Sequence, residues 1–144
     1  MWNDNLSRES IRGGHLRNLI DANAVVGATS NPTIFEKAMA AGSAYEEQLH
    51  ELGADLATRD VFWALAEQDI REACDVFADT FEASAHRDGY VSLEVDAGLA
   101  YDTLATYRQA MRLHEEVDRP NLLVKIPATK SGLAAIEDVI AAGR

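Results

Sequence analysis

The chain has 144 residues, of which 47% are hydrophobic and 26% are charged, and both the length and the composition are those of one ordinary globular domain. It carries 13 Lys and Arg residues against 24 Asp and Glu residues, a formal net charge of -11 at pH 7. Nucleic acids and anionic membrane surfaces bind clustered basic residues, so this charge argues against both as partners. An anionic substrate would need a local basic pocket.

The cysteine count and the hydropathy pattern indicate the cellular compartment in which the protein is expected to function. Cys74 is the only cysteine, so no intrachain disulfide can form and a reducing compartment is the simpler interpretation. The start of the chain, MWNDNLSRES, has no apolar signal-peptide core, and no run approaches the roughly 18 apolar residues of a transmembrane helix. We therefore predict a cytoplasmic protein that does not bind membranes.

Short strand-like segments alternate with longer helical ones from the start of the chain. The sequence MWNDN and the segment NAVVGATSNP, at residues 23–32, predict the first two strands. Ser43 and Glu46 form an S-x-x-E capping box, which predicts a short helix that ends at Gly53. An apolar stripe over residues 61–85 then predicts a long helix.

The alternation continues through the rest of the chain. Two strands are predicted in YVSLEVDAG and NLLVKIPA, where apolar residues occupy every second position. An amphipathic helix follows each strand, and the second of these helices is expected to begin at Ser131 and to end at Gly143. The apolar stripes of the two helices are Leu104, Tyr107, Met111, His114 and Val117, and then Leu133, Ile136, Val139 and Ile140.

Strands that alternate with helices in this way indicate βα units around a parallel sheet. Three of the strands carry polar residues near their carboxyl ends on a single face, whereas a parallel strand buried on both faces is normally apolar throughout. This asymmetry is typical of a (βα) barrel, in which side chains at the carboxyl ends of the strands point into the mouth. Asp4, Asn31, Glu94 and Lys125 would converge there, each from a different strand.

The four residues can support carbonyl chemistry, although each also has a structural interpretation. A neutral lysine amine can form a Schiff base with a ketone, and carboxylates can move the protons. Alternatively, Lys125 forms an ion pair with Glu94 or Asp96, Asn31 caps a helix that begins at Pro32, and Asp4 lies in a solvated loop. Glu94 and Asp96 lack a third ligand at a useful spacing for Mg²⁺, so no metal is predicted.

Four sequence stretches together resemble transaldolase, in the longer bacterial form typical of actinobacteria. They are WNDNLSRESI, VVGATSNPTIFEKAM, VSLEVDAGLAYDT and RPNLLVKIPATKSGLAAIE, and they cover nearly the whole chain in the family's order. The resemblance implies a class I, metal-free and cofactor-free (βα)8 TIM barrel of the pentose phosphate pathway. Such an enzyme transfers a dihydroxyacetone unit from sedoheptulose 7-phosphate or fructose 6-phosphate to an aldose phosphate.

The resemblance also implies roles for the four residues. Lys125 in VKIPAT matches the Schiff-base lysine, and Glu94 in SLEVD matches the glutamate that acts through a catalytic water. Asn31 in TSNPT matches the asparagine that binds substrate hydroxyls, and Asp4 matches the aspartate that acts as acid and base in C–C cleavage. The family more often has two aspartates where this chain has Asp4-Asn5.

A (βα)8 barrel needs about 250 residues, whereas residues 1–144 match about the first four βα units. We therefore expect this chain to be the N-terminal half of such a barrel, without the residues that grip the substrate phosphate. Open strand edges and an apolar inner face would favour pairing, so two copies that assemble face to face are an alternative. An inactive half-barrel and a fructose 6-phosphate aldolase-like enzyme are the alternative functions.

Overall fold

Four short segments of the chain form one parallel sheet. The computed structural model describes residues 1–22, 24–41 and 43–144, so Asn23, with which the predicted second strand segment begins, lies outside the described residues. The strands are β1 (Trp2–Asn3), β2 (Gly27–Thr29), β3 (Tyr90–Glu94) and β4 (Leu122–Lys125). All three strand pairs are parallel, and the strands lie in chain order, β1-β2-β3-β4. All four predicted strands are confirmed.

Helices connect and follow these strands. They are α1 (Arg8–Arg12), α2 (His15–Asp21), α3 (Pro32–Ala41), α4 (Glu46–Leu52), α5 (Thr58–Ala83), α6 (Thr103–Val117) and α7 (Lys130–Ala141), with 3₁₀ turns at Ser43–Tyr45 and Ala97–Leu99. Parallel crossovers are almost always right-handed, and a sheet whose strands follow one another in chain order therefore carries its helices on one face. A doubly wound sheet would instead reverse its strand order. The predicted barrel-type α/β fold, with four βα units, is confirmed.

The core lies between this sheet and the long helices. Val91, Leu93 and Val95 are buried, as the alternation of β3 predicts. They belong to the same apolar cluster as Ile70 and Phe77 of α5, together with residues of α6. The opposite face of β3 carries Ser92 and Glu94, so the polar residues of the sheet lie on the face away from the helices.

Helix α1 is attached to the rest of the molecule by a buried polar network that the sequence did not indicate. Arg8 Nε donates to Asp69 Oδ1 at 2.6 Å, and Tyr45 Oη donates to Asp69 Oδ2 at 2.7 Å. Arg8 also donates to Gln48 Oε1 at 2.6 Å and to the Leu65 carbonyl at 3.3 Å. Because Arg8, Asp69 and Tyr45 are at most 2% exposed, this network ties the start of α1 to α4 and α5 in the interior.

Two predicted helix starts are wrong. Helix α4 begins after a 3₁₀ turn, its N-cap is Tyr45, and that residue's side chain makes no capping hydrogen bond, so the expected capping box does not form. Helix α7 begins at Lys130, one residue before the expected start, and its N-cap is Thr129, whose hydroxyl accepts from Gly132 N at 2.9 Å. The predicted end of α4 at Gly53 is confirmed, since Gly53 is its C-cap and has a φ of 76°.

The buried faces of α6 and α7 also differ from the predicted stripes. Leu104, Leu133 and Ile140 are exposed. The buried residues of α6 are Thr106, Gln109, Ala110, Leu113 and Val117, and those of α7 are Gly132, Ala135 and Val139. Only Val117 and Val139 of the predicted stripes are therefore buried.

None of the helices in the described part of the chain combines the length and the hydropathy that a membrane span requires.

Candidate active site

Glu94 and Lys125 lie side by side at the carboxyl ends of neighbouring strands. They are the last residues of β3 and β4, and they are direct partners in the strand register. Their side chains therefore project from the same face, and Lys125 Nζ lies 3.5 Å from Glu94 Oε2. The ion pair proposed as a structural alternative thus exists with Glu94.

The Lys125–Glu94 pair is open to small molecules. The distance of 3.5 Å is longer than an ordinary N–H···O hydrogen bond, and the two side chains are 37% and 35% exposed. Ion pairs in contact with solvent contribute little to stability, typically about 0–1 kcal/mol. The pair therefore places an amine beside a carboxylate at an accessible position without a large structural role.

A backbone carbonyl is the nearer partner of the lysine. Lys125 Nζ donates to the Ser30 carbonyl at 2.6 Å. Ser30 directly follows β2, so the lysine side chain reaches from β4 across β3 to the end of β2. The amine is consequently held at the centre of the sheet's carboxyl edge, close to Asn31.

Asn31 has the structural role that its sequence position indicates, and it also lies at the site. Its Oδ1 accepts from Ile34 N at 3.0 Å, so it caps α3, which begins at Pro32. The predicted helix cap is therefore confirmed. In the described part of the chain, Asn31 Nδ2 donates to no protein group, so this amide N–H is available to a ligand while the cap fixes the carboxamide.

A cavity of about 450 Å³ opens beside these residues at the carboxyl ends of β2 and β3. Asn31 and Glu94 contribute polar groups to its wall, and Phe35, Phe62 and Trp63 contribute aromatic rings. Lys125 is not part of the wall, but it contacts Ser30 and Glu94, which both are. A ligand in the cavity would thus lie next to the amine.

Arg59 is a cavity residue that the sequence did not indicate. It lies in the first turn of α5 and is the only cationic residue in the cavity wall within the described residues. Its Nη2 lies 3.0 Å from Asp96 Oδ2, and Asp96 Oδ1 accepts from Gly98 N at 2.8 Å. Asp96 is therefore engaged by Arg59 and by its own turn, and it is not the partner of Lys125.

The structure places Asp4 on a strand remote from that of Lys125 and shows no contact between Asp4 and the other three candidates in the described chain. Asp4 follows β1, which is three strands away from β4 in the sheet. Neighbouring strands lie about 4.8 Å apart, so the two strands are separated by roughly 14 Å along the sheet. Asp4 is exposed, and within the described chain it makes no hydrogen bond or ion pair with Asn31, Glu94 or Lys125.

The described residues contain no group of three His, Cys, Asp or Glu side chains that could hold a metal ion. At the site itself, the side chains that could act as metal ligands are the two carboxylates of Glu94 and Asp96. Each contacts a cation of the protein itself, Lys125 for the first and Arg59 for the second. The site as described offers the amine of Lys125, the carboxylates of Glu94 and Asp96, the amide of Asn31 and the guanidinium group of Arg59.

A model of the Transaldolase/Fructose-6-phosphate aldolase family matches residues 1–144 of the chain. The chain belongs to this family. Among its relatives is a protein named transaldolase from Mycobacterium ulcerans (strain Agy99), which is 50% identical over 146 residues. Proteins of the same name from Mycobacterium leprae (strain TN) and Parafrankia sp. (strain EAN1pec) are 51% identical over 144 residues and 50% identical over 146 residues.

The alignments cover the chain almost completely but the relatives only in part. Each includes 99% of this chain, and the chain spans 38–39% of the length of these three relatives. The predicted membership of the transaldolase family is confirmed. In this member of the family, the neighbouring Glu94 and Lys125 and the cavity beside Asn31 form the candidate active site.

Proposed function

We propose that residues 1–144 are the N-terminal half of a transaldolase barrel and carry its Schiff-base lysine. The reaction is the transfer of a dihydroxyacetone unit from sedoheptulose 7-phosphate or fructose 6-phosphate to glyceraldehyde 3-phosphate or erythrose 4-phosphate, in the cytoplasmic pentose phosphate pathway. The observation that carries the proposal is the accessible amine of Lys125, 3.5 Å from the Glu94 carboxylate at the edge of a cavity. Family membership over the whole chain supports it.

In the proposed mechanism, Lys125 attacks the ketone carbon of the sugar phosphate. The neutral amine forms a C–N bond and gives up one of its two protons, and the carbonyl oxygen takes up a first proton to become the carbinolamine hydroxyl. A second proton on this oxygen lets it leave as water, and the iminium ion with one N–H remains. Glu94 moves protons in these steps through a bridging water, because a carboxylate about one water away can act as a general acid or base. Neither step requires a metal or an organic cofactor, which agrees with the expectation from the family.

Asn31 and Asp4 complete the proposed set. Asn31 Nδ2, which donates to no group in the described residues, would donate to a substrate hydroxyl at the cavity wall, because helix capping by Oδ1 fixes the orientation of its carboxamide. Asp4 would act as acid and base in C–C cleavage once the carboxyl ends of β1 and β4 face each other across a closed barrel. In an eight-stranded barrel, inward side chains of separate strands meet in the mouth.

The test is reductive trapping of the Schiff base. The chain is incubated with fructose 6-phosphate and borohydride, and intact mass and peptide mapping locate the adduct. We expect one adduct on Lys125, none in Lys125→Met, and an unchanged adduct in the matched control Lys130→Met, whose lysine lies five residues further along the chain at the start of α7. Glu94→Gln should slow trapping by roughly 100-fold. A folded wild-type chain with no adduct at Lys125 would refute the proposal.

The family description also supports a second reaction, the aldol cleavage of fructose 6-phosphate with release of dihydroxyacetone. Both reactions pass through the same iminium ion and differ in whether an aldose phosphate takes up the three-carbon unit. Product formation is therefore measured with and without erythrose 4-phosphate. Turnover that requires the acceptor indicates transfer, and equal turnover without it indicates an aldolase.

Self-association is proposed for the chain in isolation. Strand β4 has a partner on one side only within the described sheet, exposed Leu123 lies on it, and exposed Ile140 lines a cavity together with Leu123. An open strand edge with apolar side chains favours pairing with another chain. Sedimentation velocity and circular dichroism test this, because a cooperatively unfolding monomer at all concentrations would contradict it. An inactive oligomer with no adduct would favour the non-catalytic alternative.

A further inference from the structure

Ser30 is anchored at the end of β2 by two hydrogen bonds to one carbonyl. Its N–H and its hydroxyl both donate to the Ser92 carbonyl, at 3.2 Å and 2.8 Å. Ser92 is held in turn by its place inside β3, where it pairs with Thr29 of β2 and Leu123 of β4, and its hydroxyl separately donates to Thr29 Oγ1 at 2.9 Å. Ser30 and Ser92 are 1% and 3% exposed, so solvent does not compete for these bonds. The peptide carbonyl of Ser30 is therefore fixed relative to β3.

This fixed carbonyl is the closest polar partner of the lysine among the described residues. Its distance from Lys125 Nζ is 2.6 Å, compared with 3.5 Å for Glu94 Oε2. A backbone carbonyl accepts a hydrogen bond but does not take up the proton at neutral pH. It can therefore direct one N–H of the amine without removing it, whereas Glu94 can exchange a proton.

We infer that Ser30 is a positioning residue, whose carbonyl accepts the N–H of the Lys125 iminium ion and sets the plane of its C=N bond. The inference rests on the proposed Schiff-base function. When the ketone oxygen leaves as water, the iminium nitrogen retains a single N–H, which lies in the plane of the C=N bond. A fixed acceptor for that N–H prevents rotation of the C=N plane about the Cε–Nζ bond of Lys125. The same hydrogen bond stabilises the positive charge of the iminium ion. The substrate carbon is then held toward the cavity.

Side-chain variants test the anchor. Ser30→Ala removes the hydroxyl that donates to Ser92, Ser30→Thr retains a hydroxyl, and Thr29→Val is the matched control, since it also removes one hydrogen bond to Ser92 but leaves Ser30 in place. The readout is the dihydroxyacetone concentration that gives half-maximal borohydride trapping on Lys125. We expect about a tenfold increase in Ser30→Ala and a change within about twofold in the other two variants. A value for Ser30→Ala within about twofold of wild type, or an equal increase in Thr29→Val, would overturn the inference.

A backbone variant tests the carbonyl itself. Replacement of Asn31 by its α-hydroxy acid analogue turns the Ser30–Asn31 peptide into an ester, whose carbonyl is a weaker acceptor. Asn31 N–H donates to no protein group in the described chain, so the ester removes no other hydrogen bond. Cys74 provides the ligation junction for a synthetic segment of residues 1–73, and the full chain is refolded before assay. The concentration for half-maximal trapping should again increase about tenfold, and an unchanged value would count against the inference.

A second readout separates this inference from the proposed function. Competitive acetylation with trace acetic anhydride compares Lys125 with Lys130 in the same sample and needs no Schiff base. Loss of the acceptor frees the amine, so the ester variant should acetylate Lys125 several-fold faster relative to Lys130. If wild type forms no adduct but this ratio rises, the proposed function fails and the Ser30 contact stands. If the ratio is unchanged, the Ser30 inference fails whether or not wild type forms the adduct.

Discussion

Replacement of Arg8 by Met should destabilise the fold far more than the loss of a surface arginine. Arg8 and Asp69 are 1% and 0% exposed, and removal of one partner from a buried ion pair costs about 3–5 kcal/mol. The Tyr45 hydroxyl still donates to Asp69 at 2.7 Å, which reduces this cost, while Gln48 Oε1 and the Leu65 carbonyl lose a donor at roughly 1 kcal/mol each. We therefore expect a loss of about 4 kcal/mol in the free energy of unfolding.

The loss should also depend on pH in a defined direction. Burial raises the pKa of Asp69, and the hydrogen bonds from Tyr45 and Arg8 oppose this effect. Arg8→Met removes part of the opposition, so the pKa of Asp69 in the folded variant rises further. A carboxyl group with a higher pKa in the folded state favours folding below its unfolded pKa and loses that contribution as the pH rises through the folded pKa. The difference between wild type and Arg8→Met should therefore be larger at pH 7 than at pH 4.

Urea unfolding followed by circular dichroism measures both effects. The matched control is Arg12→Met, because Arg12 pairs with Glu72 at 2.6 Å but is 48% exposed, and solvent-exposed pairs contribute about 0–1 kcal/mol. Asp69→Asn in the Arg8→Met background should recover stability at pH 7, since it removes the unpaired charge. Equal losses for Arg8→Met and Arg12→Met, or a loss that is the same at pH 4 and pH 7, would refute the reasoning.

Three further predictions concern other positions. The hydrogen bonds from Arg12 lower the pKa of Glu72. The stabilisation by Glu72 is therefore present above the ordinary carboxyl pKa and is lost as the pH falls through the pKa of the folded state. Between pH 5 and pH 3 the melting temperature of Glu72→Gln should consequently fall less than that of wild type, with the same sign of the difference at every salt concentration tested. Burial raises the pKa of the Cys74 thiol to about 12, so a disulfide reagent at pH 8 should modify the native chain slowly and the urea-unfolded chain rapidly, and equal rates would contradict its burial. In Gly132→Ala the new Cβ would overlap the Pro127 carbonyl oxygen, so urea unfolding should show a loss of about 1–3 kcal/mol, and an unchanged midpoint would show that the loop moves freely.

The elements of the fold were largely predictable from local patterns. Alternating apolar residues located β3 and β4, the predicted segments MWNDN and NAVVGATSNP contain β1 and β2, and the sheet order agrees with the predicted βα units. The long helix was expected at residues 61–85 and spans Thr58–Ala83. These patterns are reliable because a strand at a helix-covered sheet buries every second residue and a long helix buries one stripe. Helices α1 and α2 were not predicted, since each is at most 7 residues long and has too few turns to show a stripe.

The buried face of α6 shows where hydropathy was insufficient. The prediction used its large apolar residues, but Thr106 and Gln109 are buried instead of Leu104. Thr106 Oγ1 donates to the Leu99 carbonyl at 2.8 Å, and Gln109 Oε1 accepts from Asp96 N at 2.8 Å. A polar side chain can be buried when its hydrogen bonds are satisfied, and those partners lie in a loop whose position only the folded chain defines.

The sequence by itself determined the chemical groups of the candidate site and the strands that carry them. Asn31, Glu94 and Lys125 stand at the ends of predicted strands, and parallel strands bring such ends to one edge. Tertiary structure alone decided which groups are in contact. Lys125 contacts Glu94 and the Ser30 carbonyl, and Asp96 pairs with Arg59. Glu94, Asp96 and Arg59 line the cavity. The physical reason is that register and loop hydrogen bonds set distances of a few ångströms, whereas residue spacing along the chain sets only the face on which a side chain lies.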